Sequence, residues 1–455
     1  MSAPLRIASG QGFWGDLQRA PIDQARLGPI DVLVMDYLAE VTMSILQKQK
    51  LRDPSKGYAR DFVEVVTELA PDIVEKGFKI ISNAGGVNPV ACAEAIVEGA
   101  RARGATGLKV AVVTGDDLLE RLDDLLSRGV ELKHMETGQR LAEVRDQIVS
   151  ANAYLGAQPI AEALAMGADV VVTGRTTDTG LTLAPLVDRF GWDWTDWDKM
   201  AAGTVAGHIL ECGAQSSGGN FTDWRAVPDM ARIGFPIAEV SADGTFVVTK
   251  HDGTGGLVSR GTVAEQLLYE IGDPADYITP DVVADFTSIQ LEDEGDDRVR
   301  VSGIRGTEDT EFLKVSAAYA DGWKATSTLV YAWPEAAAKA RAAAQILKDR
   351  LDALGLAFEE YRAEIIGLNA LSETESVDAV AEADLDEVQL RVSVRGQDKA
   401  AVEQFGREIA PLILTGPSAV TGFAGGRPRP SEVVAYWPAL IPKSEVQTEV
   451  RLLEV

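Results

Sequence analysis

Cysteine is almost missing from this chain: Cys92 and Cys212 are the only two in 455 residues. Two thiols cannot build a disulfide framework or a thiolate-rich metal site. Positive charge is also short, with 43 basic residues against 70 acidic ones and a net charge of −27. Nucleic acid and anionic membrane surfaces both need a basic footprint, so neither is expected as a partner. No uninterrupted apolar run is long enough to span a bilayer. The start, MSAPLRIASG, lacks the cationic and apolar segments of a secretory leader and enters a strand at once. A cytoplasmic protein is expected.

What the chain does have is a globular composition, 46% hydrophobic and 25% charged, which rules out a disordered chain. Its length exceeds that of one ordinary core and predicts at least two domains. Five short apolar runs in the first 180 residues each break off into a polar cluster: LRIAS–GQGFWGD, DVLVM–DYLAE, FKIIS–NAGGVNP, LKVAVV–TGDD and ADVVV–TGRTTD. Val- and Ile-rich runs with helical stretches between them predict parallel strands buried on both faces. In such sheets ligands bind at the carboxyl ends of the strands. After about residue 225 the runs alternate (TFVVTK, DRVRVSGI, FLKVSAAYA, STLVYAW), which predicts antiparallel strands. The expected fold class is α/β. A doubly wound, mainly parallel domain with a strand-end ligand crevice should occupy residues 1–230, and an α+β domain residues 231–455. Helices are expected from Asn88-Pro89, within 159–167, through LAPLVDRFG, through AAGTVAGHILEC, along EAAAKARAAAQILKDRLDALG and through AAVEQFGREIAPLIL.

The polar strand ends hold the candidate chemistry. Gly10-Gln-Gly12-Phe-Trp-Gly15 fits a dinucleotide fingerprint. Asp16 puts an anion where pyrophosphate would lie, however, and Pro21 interrupts the helix that should receive it. The glycines of Asn83-Ala-Gly85-Gly86-Val-Asn88 expose backbone amides before a helix N-terminus, so this loop can hold an anion or be an ordinary capped turn. Asp116 and Asp117 place two carboxylates at another rim position, able to hold a divalent cation or sugar-like hydroxyls or simply to cap a helix. Arg175 can clamp a carboxylate in bidentate fashion or pair with Asp36, Asp116 or Asp178. Asp36 ends a buried strand and is hard to read as solvated surface.

His208, one of only three histidines, shares a helical face with Glu211 and Cys212 at spacings of three and four. A histidine beside a carboxylate can act as a general base, and Cys212 can be a nucleophile or a bystander. A metal site is an alternative there, but one His, one Glu and one Cys make an incomplete ligand set, and no metal ligand is assigned. The polar loop Gln215–Asn220 follows and can close over the rim. Lys250 and His251 beside a glycine turn, and Arg427 and Arg429 in GFAGGRPRPS, read as hairpin and linker or as additional site groups.

Taken in order, GQGFWGD, DVLVMDYLAEVTM, DPSKGY, NAGGVNP, LKVAVVTGDDL, TGRTTDTGLTLAPL, GWDWTDWDKMAAGTVAGHILECGAQSSGGNF, GTGGLV, EQLLYEIGDPADYITPDV and FAGGRPRPS resemble the AtuA family, the acyclic terpene utilisation proteins. The motif positions that carry over are Gly10, Gly12, Asp16, Asp36, Glu40, Asn83, Asn88, Gly115, Asp116, Arg175, Asp178, His208, Glu211 and Cys212. TTDTGL departs from the Ala-Asp-Pro form usual after the arginine, which bears on which substrate this member takes. The resemblance implies breakdown of acyclic terpenes and other branched acids through acyl-CoA intermediates, and a small companion domain, fused or separate.

The expected function is therefore a catabolic hydratase, lyase or isomerase acting on a small branched or terpenoid carboxylate or acyl-CoA by proton transfer. His208, Glu211, Asp36 and Cys212 are the catalytic candidates. Gly12, Asp16, Asn83, Gly85, Gly86, Asn88, Asp116, Arg175 and Asp178 are the binding candidates. A coenzyme A thioester is the candidate form of the substrate, and a homo-oligomer is expected. Two alternatives stand beside this reading: an NAD(P)-dependent oxidoreductase, and a non-catalytic metabolite-binding subunit of a catabolic complex.

Overall fold

A computed structural model of the chain describes residues 3–38, 40–371, 385–422 and 426–455. Residues 423–425 of the expected glycine-rich loop therefore lie outside the described residues. The protein is a mixed α/β structure with one large mixed sheet and further antiparallel sheets. It divides into two compact units, residues 1–318 with 436–455, and residues 319–435.

The first unit is built on a ten-stranded sheet. Its middle consists of β1 (Leu5–Gln11), β2 (Val32–Met35), β3 (Lys79–Ser82), β4 (Lys109–Thr114) and β6 (Val170–Thr173), while β5 (Ile148–Ala153) lies off the sheet. These five run parallel in the order β1-β2-β3-β6-β4. Alternate residues feed two cores. Ile7, Val34, Ile81, Val113 and Val171 pack on one face with α6 (Gln158–Ala165), α7 (Gly180–Phe190) and α8 (Trp197–Glu211). Leu33, Met35, Ile80, Val112 and Val172 pack on the other with α1 (Ala20–Leu27), α3 (Arg60–Lys76) and α4 (Pro89–Ala102). Burial on both faces is the reason these strands read as unbroken apolar runs.

The change of texture after residue 225 marks a switch of pairing and not the edge of a compact unit. Strands β7 (Ile237–Val240) and β8 (Phe246–Thr249) continue the same sheet antiparallel from β1, followed by β12 (Val299–Ser302) and β11 (Gln290–Asp293). At the opposite edge β19 (Glu449–Glu454) pairs antiparallel with β4. The compact units thus part near 318 and 436 and not at the expected 230–231.

The second unit follows a βαββαβ order: the later part of β14 (Phe312–Ala332), α10 (Ala336–Ala353), β15 (Glu360–Ile366), β16 (Glu387–Gly396), a helix at Lys399–Ile409 and β18 (Ser431–Pro442). Strand β16 lies antiparallel between β15 and β14. Its core is apolar, with Leu329, Leu347, Val392, Val394 and Phe405. The helix expected through Leu414 breaks into Lys399–Ile409 and Leu412–Thr415. Pro411 between them has no amide hydrogen for the helical ladder. Among the described residues no helix is long and apolar enough to cross a membrane.

Candidate functional site

A cavity of about 500 Å3 opens where β1, β2 and β6 end, walled also by the C-terminal end of α8 and the residues after α9 (Arg260–Leu268). Its lining brings together Gly12, Asp16, Asp36, Arg175, Asp178, Glu211 and Cys212, groups from four distant segments. Phe13, Leu38, Gln215, Asn220, Tyr269 and Glu270 complete the walls that matter here. Five carboxylates thus face one guanidinium.

Asp36 follows β2 directly and is only 7% exposed. Its Oδ1 accepts from Asn83 Nδ2 at 2.7 Å and from the Leu38 amide at 3.0 Å. Asn83 Oδ1 in turn accepts from the Tyr37 amide at 2.8 Å. Asn83 therefore stands behind Asp36 as a support and does not line the cavity. Burial, with the Asp178 charge adding to it, pushes the Asp36 carboxyl well above the usual carboxylate range despite Arg175 and these hydrogen bonds.

Arg175 is held through both terminal nitrogens and the face of its guanidinium. Its Nη1 donates to the Leu38 carbonyl, its Nη2 to Asp178 Oδ1 at 3.1 Å, and its guanidinium carbon lies 4.1 Å from the centre of the Tyr154 ring. Its backbone amide donates to Asp116 Oδ2 at 2.7 Å, an oxygen that also accepts from Asn152 at 2.8 Å. Asp116 thus anchors the β6 loop from behind. Burial raises its carboxyl to about 7. An acid raised in the folded state keeps its proton while the unfolded chain releases it. Asp116 therefore contributes stability below about pH 4 that is lost as pH climbs through about 7. Asp116→Asn removes this titration, and its denaturation free energy should fall less steeply over that range, by up to about 1.4 kcal/mol per pH unit. Chemical denaturation of both forms at several pH values measures the difference.

The pair on α8 has a defined protonation. His208 is 1% exposed, with Tyr277 and Phe286 against its ring. Its Nε2 lies 2.9 Å from the Gln266 carbonyl, which can only accept, so that nitrogen carries a hydrogen. Its Nδ1 lies 2.7 Å from Glu211 Oε1, and these two atoms share one proton. Burial disfavours the imidazolium, but the Glu211 charge and the hydrogen bonds outweigh it and the histidine pKa rises. Burial also raises Glu211, against the pull of His208. Glu211 faces the cavity, and His208 supports it from the interior. The Cys212 thiol, raised to about 12 by burial and then by Glu211, stays neutral near pH 7 and is a poor nucleophile.

The glycine-rich loop does not fit a dinucleotide. The Gly12 amide donates to Asp16 Oδ2 at 3.0 Å, so the group a pyrophosphate would need is already capped by a carboxylate. A bulge in the β1–β2 register between Ser9 and Gln11 turns this loop toward α8. There a Cβ on Gly12 would sit 2.6 Å from the Gly213 nitrogen.

Gly85, Gly86 and Asn88 are not in the cavity lining. Gly85 packs on Thr173 and Pro89, Gly86 (φ 55°) on Leu46, and Asn88 Nδ2 donates to the carbonyls of Pro54 and Lys56. Buried as it is, this loop serves as a packed turn. His251 is buried with Nε2 against the Gln24 carbonyl, and Lys250 pairs with Asp297; neither lines the cavity. Tyr269 and Glu270 were missed as site residues, although they sit inside the motif EQLLYEIGDPADYITPDV. Among the described residues no cluster of His, Cys, Asp and Glu is arranged to hold a metal ion.

No curated protein and no solved structure matched the chain. The family described as acyclic terpene utilisation family protein AtuA matches residues 5–452, nearly the whole length, and carries with it a role in acyclic terpene utilisation. The chain belongs to the AtuA family.

Proposed function

We propose that this protein is a cytoplasmic catabolic enzyme that adds water to, or removes it from, a branched or terpenoid acyl thioester by proton transfer. One observation carries the reading: two acids in different surroundings face one cavity, Asp36 with its carboxyl pushed well above the usual carboxylate range by burial and Glu211 hydrogen-bonded to His208. Pairs of carboxyl groups set apart by their surroundings are how one site runs acid and base steps together. Glu211 takes a proton from water as the oxygen adds to the β-carbon of a 2-enoyl thioester, and Asp36 gives its proton to the α-carbon. Dehydration runs the same steps backward.

The charge balance favours the thioester over the free acid. Arg175 is already engaged by Asp178 and the Leu38 carbonyl, so a substrate carboxylate would meet an excess of negative charge. A thioester carbonyl brings none. A volume of about 500 Å3 suits a small branched acyl group.

The test is an assay of C3-branched 2-enoyl-CoA thioesters alongside the corresponding free acids. Loss of the enoyl absorbance with the thioesters and none with the acids is the expected result. No turnover of either, or turnover of the acids alone, overturns the reading.

A further inference from the structure

Two residues lining the cavity, Asn220 (φ 55°) and Glu270 (φ 58°), have backbones in the left-handed region. Asn tolerates that conformation because its short polar side chain bonds locally, and Asn220 Nδ2 does donate to Gln215 at 2.9 Å. Glu has no such compensation, and its Cβ crowds the backbone there. Glycine would fit position 270 without strain. Strained positions that persist at a cavity wall point to the side chain they present.

Glu270 is presented in a particular way. It follows α9 by two residues, is exposed to solvent, and its carboxylate has no hydrogen-bond or ion-pair partner among the described residues. It is the open acid of a cavity whose other acids are occupied: Asp16 by two amides, Asp36 by Asn83, Asp178 by Arg175 and Glu211 by His208. Its charge reaches inward as far as His208, Glu211 and Cys212.

The proton-transfer cycle proposed above leaves a need that this group meets. Each hydration leaves Glu211 with one proton more and Asp36 with one proton fewer. The next turnover requires that surplus to leave and the deficit to be refilled. His208 cannot carry the proton out, because its other nitrogen faces the Gln266 carbonyl in the interior. We propose that Glu270 is a relay that exchanges this proton with bulk water, and that the strained turn after α9 exists to hold it at the cavity mouth.

The inference rests on the proton-transfer reading, and the experiment separates the two. Turnover of the C3-branched enoyl thioester is measured for Glu270→Gln, Glu270→Gly, Glu270→Asp and Glu211→Gln, in dilute buffer and with added acetate or imidazole. In dilute buffer Glu270→Gln and Glu270→Gly should lose about tenfold or more in kcat, with KM nearly unchanged. Small buffers should restore them, and Glu270→Asp should stay near the parent. Glu270→Gly should also raise Tm by roughly 1–4 °C through relief of strain, so stability and turnover move in opposite directions. Parent-level kcat in dilute buffer, or a loss that no small buffer relieves, overturns the relay while an inactive Glu211→Gln leaves the proton-transfer reading standing. Parent-level turnover in Glu211→Gln overturns both.

Discussion

Replacing Glu211 by Gln should reduce turnover by about 10²- to 10⁴-fold while the protein stays folded. The substitution is nearly isosteric and keeps a polar group at the site of the 2.7 Å contact with His208 Nδ1, because the amide can donate to that nitrogen of a neutral imidazole. What it removes is the ability to take a proton. Asp36→Asn should be similarly inactive for the complementary reason: it keeps an acceptor for the Asn83 and Leu38 donors but has no proton to give. The two effects should not add, since both residues serve one reaction step. His208→Gln should be milder in turnover at its optimum but should displace the pH profile, because the histidine acts only through Glu211. Steady-state kinetics of the single and double variants, with Tm recorded for each, check these outcomes. Near-parent turnover in Glu211→Gln would remove it from the mechanism.

Gly12→Ala should be strongly destabilising and should also disturb the cavity wall. The added Cβ would lie 2.6 Å from the Gly213 nitrogen and 2.8 Å from the Cys212 carbonyl carbon, both backbone atoms. No side chain can rotate away to relieve that contact. The chain after α8 cannot yield either, since Gly213 sits at φ 57° with its own Cβ position blocked by Asp16 and Phe235. Overpacking of this kind costs about 1–3 kcal/mol, which lowers Tm by several degrees. The strain falls between the β1 loop and the end of α8, so it should separate Asp16 from Glu211 and Cys212 and reduce activity as well. Gly15→Ala is the control: a Cβ there meets only the Phe13 ring at 3.8 Å, although its φ of 110° still imposes some strain. Thermal melts and turnover of both variants should show the larger loss at Gly12.

The strand ends were legible in the sequence because parallel strands buried on both faces leave unbroken apolar runs, and the residue after each run must lie at one rim. Gly12, Asp36 and Arg175 follow β1, β2 and β6 in this way and meet at the cavity. His208 and Glu211 were legible from helical spacing alone. Periodicity could not tell which rim residues face the ligand and which face inward. Asn83 and Asp116 end their strands just as Asp36 does, yet they turn their polar groups onto Asp36 and the Arg175 amide. Glu270 had no such signal, since it follows a helix that connects no two of the parallel strands and depends on a backbone conformation that no residue type announces. The extent of the first unit was hidden for a related reason. Antiparallel strands β7 and β8 look like a new domain in sequence, but hydrogen bonding to β1 makes them part of the old one.

The most direct test of the proton transfer is where a solvent proton goes. Incubating the protein with a C3-branched 3-hydroxyacyl or 2-enoyl thioester in D2O and reading the α-carbon by NMR follows that atom. Deuterium should appear at the α-carbon with the parent protein and be absent with Asp36→Asn, while Cys212→Ser still incorporates it. An α-carbon that stays fully protonated with the parent, or that exchanges equally with Asp36→Asn, would contradict the proton transfer proposed at the β2 strand end.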